Sequence, residues 1–375
     1  MICGFDEKRL DQIRKHAIER IDSKRLLGAC SGVYRGNELV WKSCEGYSRT
    51  DGTPLNIKSM FRLASMSKPI TTVAVMIQCE RGYLRLTDPI SRFLPEFEHM
   101  SLADGTPANP IEIRHLLSHC SGLGQDDFGM REFLKVAPKK GDTLATTIPR
   151  YAKMLLPYQP GLHSTYSGVV GIDILARIVE ITSGKVFSKF LQDEIFDPLG
   201  MVDTTFHPSD EQRKRLVEFC KADGVTIEPI ELKTNVIDIP LSYESGSTAL
   251  LGTLDDYLRF ARMLLNKGKL DGVRIISPRT VEQMRSPAMS YQTTPEHSDL
   301  QWGLGVRIVT HLNGYSAPLS VGSFGWSGSY GTHFFIDPVL NIAAVYMSNW
   351  RNAGGAGAPT AFEFENDVIS AIVEE

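Results

Sequence analysis

The stretch that decides how this chain is interpreted is Ser65-Met66-Ser67-Lys68, a serine three residues before a lysine at the start of a helical pattern. The pattern predicts a helix over Lys68–Arg81, because Pro69 is tolerated in a first turn and Gly82 is typical of a helix end. Residues three apart share one face of a helix. The arrangement therefore puts a hydroxyl beside an amine at the positive end of a helix dipole, which suits an activated serine nucleophile.

A serine and a lysine at this spacing also occur by chance. The structural alternative is an N-cap serine followed by a solvated lysine. A short motif is only a hypothesis, so the rest of the chain has to decide between the two interpretations.

A lysine is a base at neutral pH only when burial or a neighbour lowers its pKa, or when a second group shares the proton. A tyrosine can share it, because an adjacent lysine stabilises the phenolate. The candidate is Tyr166, which follows the Pro160-Gly161 turn and precedes a predicted helix over Val170–Ser183. The alternative for Tyr166 is a packed aromatic at the helix entry.

A third segment of interest is rich in glycine and serine: Phe324-Gly325-Trp326-Ser327-Gly328-Ser329-Tyr330-Gly331. Small residues there would let a substrate approach the backbone, and an edge strand beside the serine would offer a second N–H to an oxyanion. An ordinary glycine-rich turn ahead of a hairpin is the alternative.

The composition is that of a globular protein, with 375 residues, 42% hydrophobic, 22% charged and a formal net charge of −4. No basic run indicates nucleic acid or an anionic membrane as a partner. The first residues lack the apolar run of a signal peptide and no stretch is as long as a membrane span, so a cytoplasmic protein is predicted. In a reducing compartment the six cysteines are expected to be free thiols.

Motifs of competing chemistries are missing from the sequence: Gly-x-Ser-x-Gly, His-Glu-x-x-His, Gly-x-Gly-x-x-Gly and a Walker loop. His115 and His119 could share a helix face, but no carboxylate ligand is in step with them, so a structural role is favoured. Cys120 is not favoured as a thiol nucleophile, because it does not face the adjacent His119 on a helix.

Strand patterns lie at both ends of the chain and helical patterns between them, which predicts an antiparallel sheet built from both termini. The predicted strands are Gly28–Tyr34, Glu38–Tyr47, Trp302–Val309, Thr332–Ile336 and Ile342–Ser348. The predicted helices are 6–25, Lys68–Arg81, Ile111–Ser118, Thr146–Leu155, Val170–Ser183, Val186–Ile195, Asp210–Lys221 and 359–373. Residues 124–160 are predicted to be a mobile covering loop, with an ordinary surface loop as the alternative.

In three segments taken in order, Ser65-x-x-Lys68, Tyr166-Ser167 and Trp326-Ser327-Gly328, the chain resembles the serine β-lactamase and penicillin-binding-protein superfamily. Within it, the chain is similar to the class C-like family VIII carboxylesterases. Longer similar segments are 61–71, 115–123, 246–250 and 254–260. The resemblance covers nearly the whole chain and implies an α+β, β-lactamase-like fold, with an antiparallel sheet flanked by helices and a helical subdomain.

The resemblance implies that Ser65 is the nucleophile, that Lys68 and Tyr166 share the role of general base, and that the N–H groups of Ser65 and Ser329 form the oxyanion hole. Two departures stand out. Gly168 replaces an asparagine of class C β-lactamases, and Trp326 replaces the lysine that helps to hold a β-lactam carboxylate. A tryptophan removes a charge and adds an apolar wall, which favours neutral esters.

These observations predict an α/β domain of residues 1–70 and 240–375 and a helical subdomain of residues 71–239, with the covering loop 124–160 and a catalytic cleft between them. The expected activity is hydrolysis of small-acyl carboxylic esters through an acyl-Ser65 intermediate. The predicted substrate contacts are Trp326, Ser327, Gly328 and Phe128.

No metal or organic cofactor is expected, and the expected partner is a small-molecule ester rather than nucleic acid or a membrane. Two kinds of alternative stay open. The same serine could serve a β-lactamase, an amidase or an acyltransferase. The chain could also be a non-catalytic relative that binds a ligand or acts as a scaffold.

Overall fold

The computed structural model of the chain describes residues 2–231, 240, 242–288, 300–312, 318–351, 353–355 and 357–374. The strands are β1 Gly28–Arg35, β2 Glu38–Gly46, β3 Met60–Arg62, β4 Cys220–Ala222, β5 Ile227–Pro229, β6 Leu251–Thr253, β7 Lys269–Leu270, β8 Val273–Arg274, β9 Leu300–Trp302, β10 Arg307–Val309, β11 Phe324–Gly328, β12 Thr332–Asp337 and β13 Ile342–Met347. The α-helices are α1 Glu7–Asp22, α2 Ser67–Glu80, α3 Ile113–Leu117, α4 Asp127–Val136, α5 Leu144–Tyr151, α6 Val170–Ser183, α7 Phe187–Leu191, α8 Asp197–Leu199, α9 Asp210–Arg215, α10 Leu254–Leu265, α11 Pro278–Met284 and α12 Pro359–Ser370. Short 3₁₀ turns lie at Ala64–Met66, Ile90–Arg92 and Pro95–Phe97, and a π-helical turn lies at Gln192–Phe196.

The largest sheet has seven strands in the order β2-β1-β13-β12-β11-β10-β9, and each neighbouring pair is antiparallel. Strand β1, near the start of the chain, pairs with β13, near its end, so that Cys30 lies opposite Met347. The predicted assembly of the sheet from both termini is therefore confirmed.

The sheet separates two apolar layers. On β12, Phe334 packs into the larger core with residues of α2, α6 and α10, whereas Phe335 packs into a smaller core with α1 and α12. Successive side chains of a strand point to opposite faces, so the sheet has a front face toward α2, α6 and α10 and a back face toward the two terminal helices. The division into domains of residues 1–70 with 240–375 and 71–239 stays a prediction, and its boundary at residue 239 lies outside the described residues.

Two helices of the front layer carry the predicted catalytic segments. Helix α2 begins at Ser67, one residue before the predicted start, and all residues from Ser67 to Gln78 are buried. Helix α6 has the predicted bounds Val170–Ser183 and is capped by Gly184, whose φ of 70° lies in the left-handed region that glycine accepts readily. Because α2 packs against α6, the first turns of both helices are held in one rigid layer.

Residues 124–160 contain the helices α4 and α5. These helices bury Phe133, Ile148 and Tyr151 completely. Helix α5 overlaps the predicted helix Thr146–Leu155, whereas the part of the segment that forms α4 was predicted as loop, and there the prediction is wrong. The apolar side chains of α4 enter the core at helical spacing. That the segment covers the site stays a prediction.

Two further elements are shorter than predicted. The predicted strand Trp302–Val309 is divided into β9 and β10 by a tight turn in which Gly305 has a φ of 67°. The predicted helix Asp210–Lys221 ends at Arg215, and Cys220 already belongs to strand β4. The polar run of α9 buries no side chain, so nothing in the core extends this helix.

Cys30 and Cys44 form a disulfide, so the prediction of six free thiols is wrong. The two residues lie directly opposite each other on β1 and β2, with their Cα atoms 4.0 Å apart. Sequence spacing alone does not reveal this pair, because the pairing depends on the register of the hairpin. The other four cysteines, all within the described ranges, form no disulfide.

The helices in the described ranges include none that combines the length and the apolar character needed to cross a membrane.

Candidate active site

Ser65 lies in the 3₁₀ turn Ala64–Met66, which leads directly into α2. The residue before it, Ala64, has a φ of 48°, a left-handed conformation that costs energy for a residue with a Cβ atom. Lys68 follows in the first turn of α2, and its Nζ lies 3.3 Å from Ser65 Oγ. The spacing of three residues therefore brings the amine and the hydroxyl together, as the sequence predicted.

Lys68 is completely buried. Its amine also donates to the main-chain oxygens of Gly168, at 2.5 Å, and of Ser247, at 3.1 Å. Burial lowers the pKa of Lys68 to about 7, and the negative charge of Asp173 acts in the opposite direction. The Lys68 amine can therefore exist without its extra proton near neutral pH and accept a proton from the serine.

Tyr166 comes from the loop before α6, and its phenol donates a hydrogen bond of 2.9 Å to Ser65 Oγ. Burial raises the pKa of Tyr166 to about 12, so the phenol keeps its proton at neutral pH. Lys68 Nζ lies 5.2 Å from the centre of the Tyr166 ring. The structure thus brings the three predicted catalytic side chains together around one hydroxyl oxygen.

Aromatic rings surround Tyr166. Its ring centre lies 4.7 Å from that of His119, 5.8 Å from that of Trp302 and 5.2 Å from that of Trp326. Sequence reasoning placed only Trp326 at the site and gave His119 a structural role. His119 lies in one of the segments similar to the superfamily, and burial lowers its pKa well below the usual value, so the ring is neutral.

Sequence reasoning also missed Asp173, which is completely buried in the first turn of α6. Its Oδ1 accepts hydrogen bonds from Ser245 Oγ, at 2.8 Å, and from the main-chain N–H of Ser247, at 3.0 Å. The available signal was a single acidic residue within the apolar run Val169–Leu175. Such a residue is either exposed or held by specific partners.

The end of β11 is held close to the nucleophile. A Cβ atom on Gly328 would lie 2.4 Å from the main-chain oxygen of Leu63, so only glycine fits there. The Thr332 hydroxyl donates to the same oxygen at 3.0 Å. These contacts bring the residues around Ser329 beside the turn that carries Ser65, and the oxyanion hole formed by their N–H groups stays a prediction.

The remaining predicted substrate contacts lie in different places. Trp326 faces the front layer, but the Ser327 hydroxyl lies 2.7 Å from His333 Nδ1 and is engaged there. Phe128 lies on α4, with the Arg131 guanidinium carbon 6.0 Å from the centre of its ring. A substrate contact by Ser327 is therefore left to its main chain, and the role of Phe128 stays a prediction.

The arrangement supports acyl transfer to a serine. A hydroxyl stands between an amine that can accept its proton and a phenol that can donate one. The surroundings are apolar and aromatic, which strengthens such proton transfers by excluding water.

Comparisons with known proteins identify the family. A model of the Beta-lactamase family matches residues 13–363. The chain is 31% identical over 358 residues to an uncharacterised protein of Mycobacterium tuberculosis, covering 88% of this chain and 87% of that protein. It is 28% identical over 390 residues to Esterase EstB of Burkholderia gladioli, covering 94% and 92% of the two chains.

Among solved structures, the chain is similar to EstCE1, described as a hydrolase with promiscuous acyltransferase activity. The TM-score is 0.84 and the identity 26%, with 98% of this chain and 99% of that chain covered. The predicted α+β, β-lactamase-like fold is thereby confirmed.

Proposed function

We propose a carboxylesterase activity for this chain, which belongs to the Beta-lactamase family and so to a serine hydrolase superfamily with esterase-type members. The proposed reaction is hydrolysis of small-acyl carboxylic esters through an acyl-Ser65 intermediate. One observation carries the proposal: Lys68 Nζ and the Tyr166 phenol both lie within hydrogen-bond distance of Ser65 Oγ, at 3.3 and 2.9 Å.

The lowered pKa of Lys68 suits its amine to accept a proton, and the raised pKa of Tyr166 keeps its phenol protonated and able to donate one. The neutral Lys68 amine accepts the Ser65 proton as Oγ attacks the ester carbonyl. The Tyr166 phenol donates its proton to the leaving alcohol as the ester C–O bond breaks, and Lys68 returns a proton to Tyr166. In the second half, water attacks the acyl group, gives up a proton to the same pair, and Ser65 is released with its proton restored.

Several features favour esters over β-lactams. Trp326 stands where the resemblance leads one to expect a lysine that holds a carboxylate. Its ring lies 4.5 Å from Trp302 and 5.2 Å from Tyr166, so that this side of the site is an aromatic wall. EstB, which the chain resembles over nearly its whole length, is named an esterase.

The ester would bind in the cleft between the helical subdomain 71–239 and the α/β domain, against Trp326, the Gly328 main chain and Phe128. The Ser65 and Ser329 N–H groups would hold the oxyanion, and the residues named are sufficient without a metal or cofactor.

The proposal is tested by trapping the intermediate. Wild-type protein mixed with p-nitrophenyl butyrate and quenched in acid is expected to carry one butyryl group on the peptide that contains Ser65. The matched variant is Ser67→Ala, a buried serine in the same segment whose hydroxyl accepts from the Leu250 N–H at 3.3 Å, and it should still be acylated at Ser65. Acylation at another residue, or none during turnover, would contradict the proposal.

Acyl transfer is a second candidate. It is favoured by the likeness to EstCE1, whose described activity includes promiscuous acyl transfer. An aromatic wall beside Tyr166 would also favour an organic alcohol over water as the acceptor. Adding benzyl alcohol during ester turnover should then yield benzyl butyrate in place of butyric acid, whereas a strict hydrolase would form only the acid.

A further inference from the structure

Lys68 is held by two carbonyl groups, and one of them belongs to a loop that a buried carboxylate fixes in place. The Ser247 oxygen accepts from Lys68 Nζ at 3.1 Å, while the N–H of the same residue donates to Asp173 Oδ1 at 3.0 Å. The Ser247 hydroxyl donates to the main-chain oxygen of Val169 at 2.6 Å. Ser247 therefore has its N–H, its carbonyl and its hydroxyl all engaged between α2 and the start of α6.

The Asp173 carboxylate has a second donor in the same loop, the Ser245 hydroxyl at 2.8 Å. Its other oxygen, Oδ2, is buried and accepts no hydrogen bond within the described ranges. A buried carboxylate with one unsatisfied oxygen costs stability, and a purely structural clamp does not need that cost.

We propose that Asp173 is a positioning residue of the active site, which places the Ser247 carbonyl on Lys68 and whose negative charge governs how readily the Lys68 amine releases its proton. The inference rests on the proposed function only in that both assign proton acceptance to Lys68. Because Asp173 touches neither substrate nor Ser65, it acts through Lys68.

The titratable groups that face Asp173 and Lys68 keep one protonation state near neutral pH, whereas Asp173 and Lys68 themselves change theirs. Tyr151 of α5 and Tyr243 face Asp173, and burial raises the pKa of each well above its ordinary value. His119 faces Lys68, and burial lowers its pKa well below the usual value. Tyr166 also faces Lys68, with its ring centre 5.2 Å from Lys68 Nζ, and burial raises its pKa to about 12. These four groups therefore stay neutral between about pH 6 and 8. Burial raises the pKa of Asp173 itself to about 6, against the hydrogen bonds from Ser245 and Ser247.

The sign of the expected effect follows from charge. A nearby carboxylate favours the protonated amine, so removing its charge lowers the pKa of Lys68. More Lys68 is then neutral at pH 6, and Ser65 reacts faster there than in the wild type. A loss of structure alone would slow the reaction at every pH and leave the shape of the profile unchanged.

The experiment measures the rate at which a fluorophosphonate labels Ser65, by intact mass, from pH 5 to 9. This readout does not require that any ester be turned over. If Asp173→Asn lowers the pKa of Lys68 by about one unit, the labelling rate at pH 6 divided by the rate at pH 8 should be about fivefold higher than in wild type. Ser245→Ala, which removes one donor from the carboxylate, should move the ratio in the same direction by a smaller factor.

The matched control is Asp256→Asn. Asp256 is also buried in the first turn of a helix and accepts from a hydroxyl and a main-chain N–H, those of Thr204 and Asp203, both at 2.8 Å. Burial raises its pKa to about 6, but it does not act on Lys68. Its ratio should equal that of the wild type.

An unchanged ratio in both Asp173→Asn and Ser245→Ala overturns the inference, and so does an equal change in Asp256→Asn. If Asp173→Asn does not fold, the Ser245→Ala ratio decides alone. Absence of label on wild-type Ser65 also overturns it, because Lys68 then does not activate that serine. A pH-dependent label without any ester turnover would leave the inference standing and reject the proposed function.

Discussion

The front and back faces of the sheet differ in how their buried polar side chains are paired. On the back face, His333 joins the Ser327 hydroxyl, at 2.7 Å, to the Glu365 carboxylate, at 3.0 Å. On the front face, Lys68 is bonded to a hydroxyl and two carbonyls, and no carboxylate of the described residues lies within ion-pairing distance. A buried cation without a paired anion costs stability.

The groups around Lys68 on the front face also include buried polar atoms that lack a hydrogen-bond partner. Two buried atoms near Lys68 have no hydrogen-bond partner within the described ranges: His119 Nε2 and Asp173 Oδ2. The front face therefore gives up stability to keep an amine that changes its protonation near neutral pH. The hydrogen-bonded chain on the back face supports the strands from behind.

The largest expected effect is that of Lys68→Met. Without the base, ester turnover should fall by about 10³-fold, within the range for general acid–base groups. The folded state holds the Lys68 proton less tightly than the unfolded state, so wild-type stability rises with pH between about 7 and 10.5. The variant should lack this rise, which is worth up to about 1.4 kcal/mol per pH unit.

Urea unfolding at several pH values, together with initial rates, checks both parts. Lys15→Met, at an exposed position on α1, is the control and should leave turnover and the pH profile of stability unchanged. Equal pH profiles for wild type and Lys68→Met would mean that Lys68 titrates normally, and the contrast between the two faces would not hold.

A smaller effect is expected from Trp326→Lys, which places a cation on the front face of β11. The amine can hold a substrate carboxylate, whereas the aromatic wall for neutral esters is lost. The ratio of nitrocefin to p-nitrophenyl butyrate kcat/KM should rise by about tenfold, on the scale of one charge-assisted hydrogen bond. Trp326→Phe keeps the wall and should leave the ratio close to wild type. An unchanged ratio in Trp326→Lys would show that residue 326 does not select between these substrates.

Glu365→Gln tests the back face. Removing the charge from a buried hydrogen bond to His333 should lower the free energy of unfolding by about 1–2 kcal/mol. Ester turnover should change by less than about threefold, since none of the groups that contact Ser65 is altered. A large loss of turnover with unchanged stability would place the back face in the catalytic machinery.

The smallest effect on turnover is expected from Cys30→Ala with Cys44→Ala. The disulfide closes a loop with a sequence separation of 14, and its loss should cost about 3 kcal/mol in the free energy of unfolding. Turnover at 25 °C should match that of the wild type. A lowered turnover in a folded double variant would link the β1–β2 hairpin to the site.

The sequence predicted what depends on local spacing. Ser65 and Lys68 meet because they lie three residues apart on one helix, and α6 has its predicted bounds because its apolar stripe ends at Gly184. The meeting of Tyr166 with Ser65 followed from chemical need and from the resemblance, since their distance in sequence is large.

Contacts that depend on tertiary packing were missed. Asp173 acts through Ser245 and Ser247, which lie more than seventy residues further along the chain. The Cys30–Cys44 disulfide depends on hairpin register, and α4 was hidden by the glycine and proline residues around it. None of these contacts has a local pattern in the sequence that sets it apart from surface or loop positions.

The most direct test of the central claim compares wild type with Ser65→Ala in turnover of p-nitrophenyl butyrate and of nitrocefin, with Ser209→Ala as a surface control. We expect ester turnover in wild type and in Ser209→Ala, little nitrocefin cleavage, and a loss of at least about 10³-fold in Ser65→Ala. Ester turnover that survives in Ser65→Ala, or nitrocefin cleavage that dominates in wild type, would contradict it.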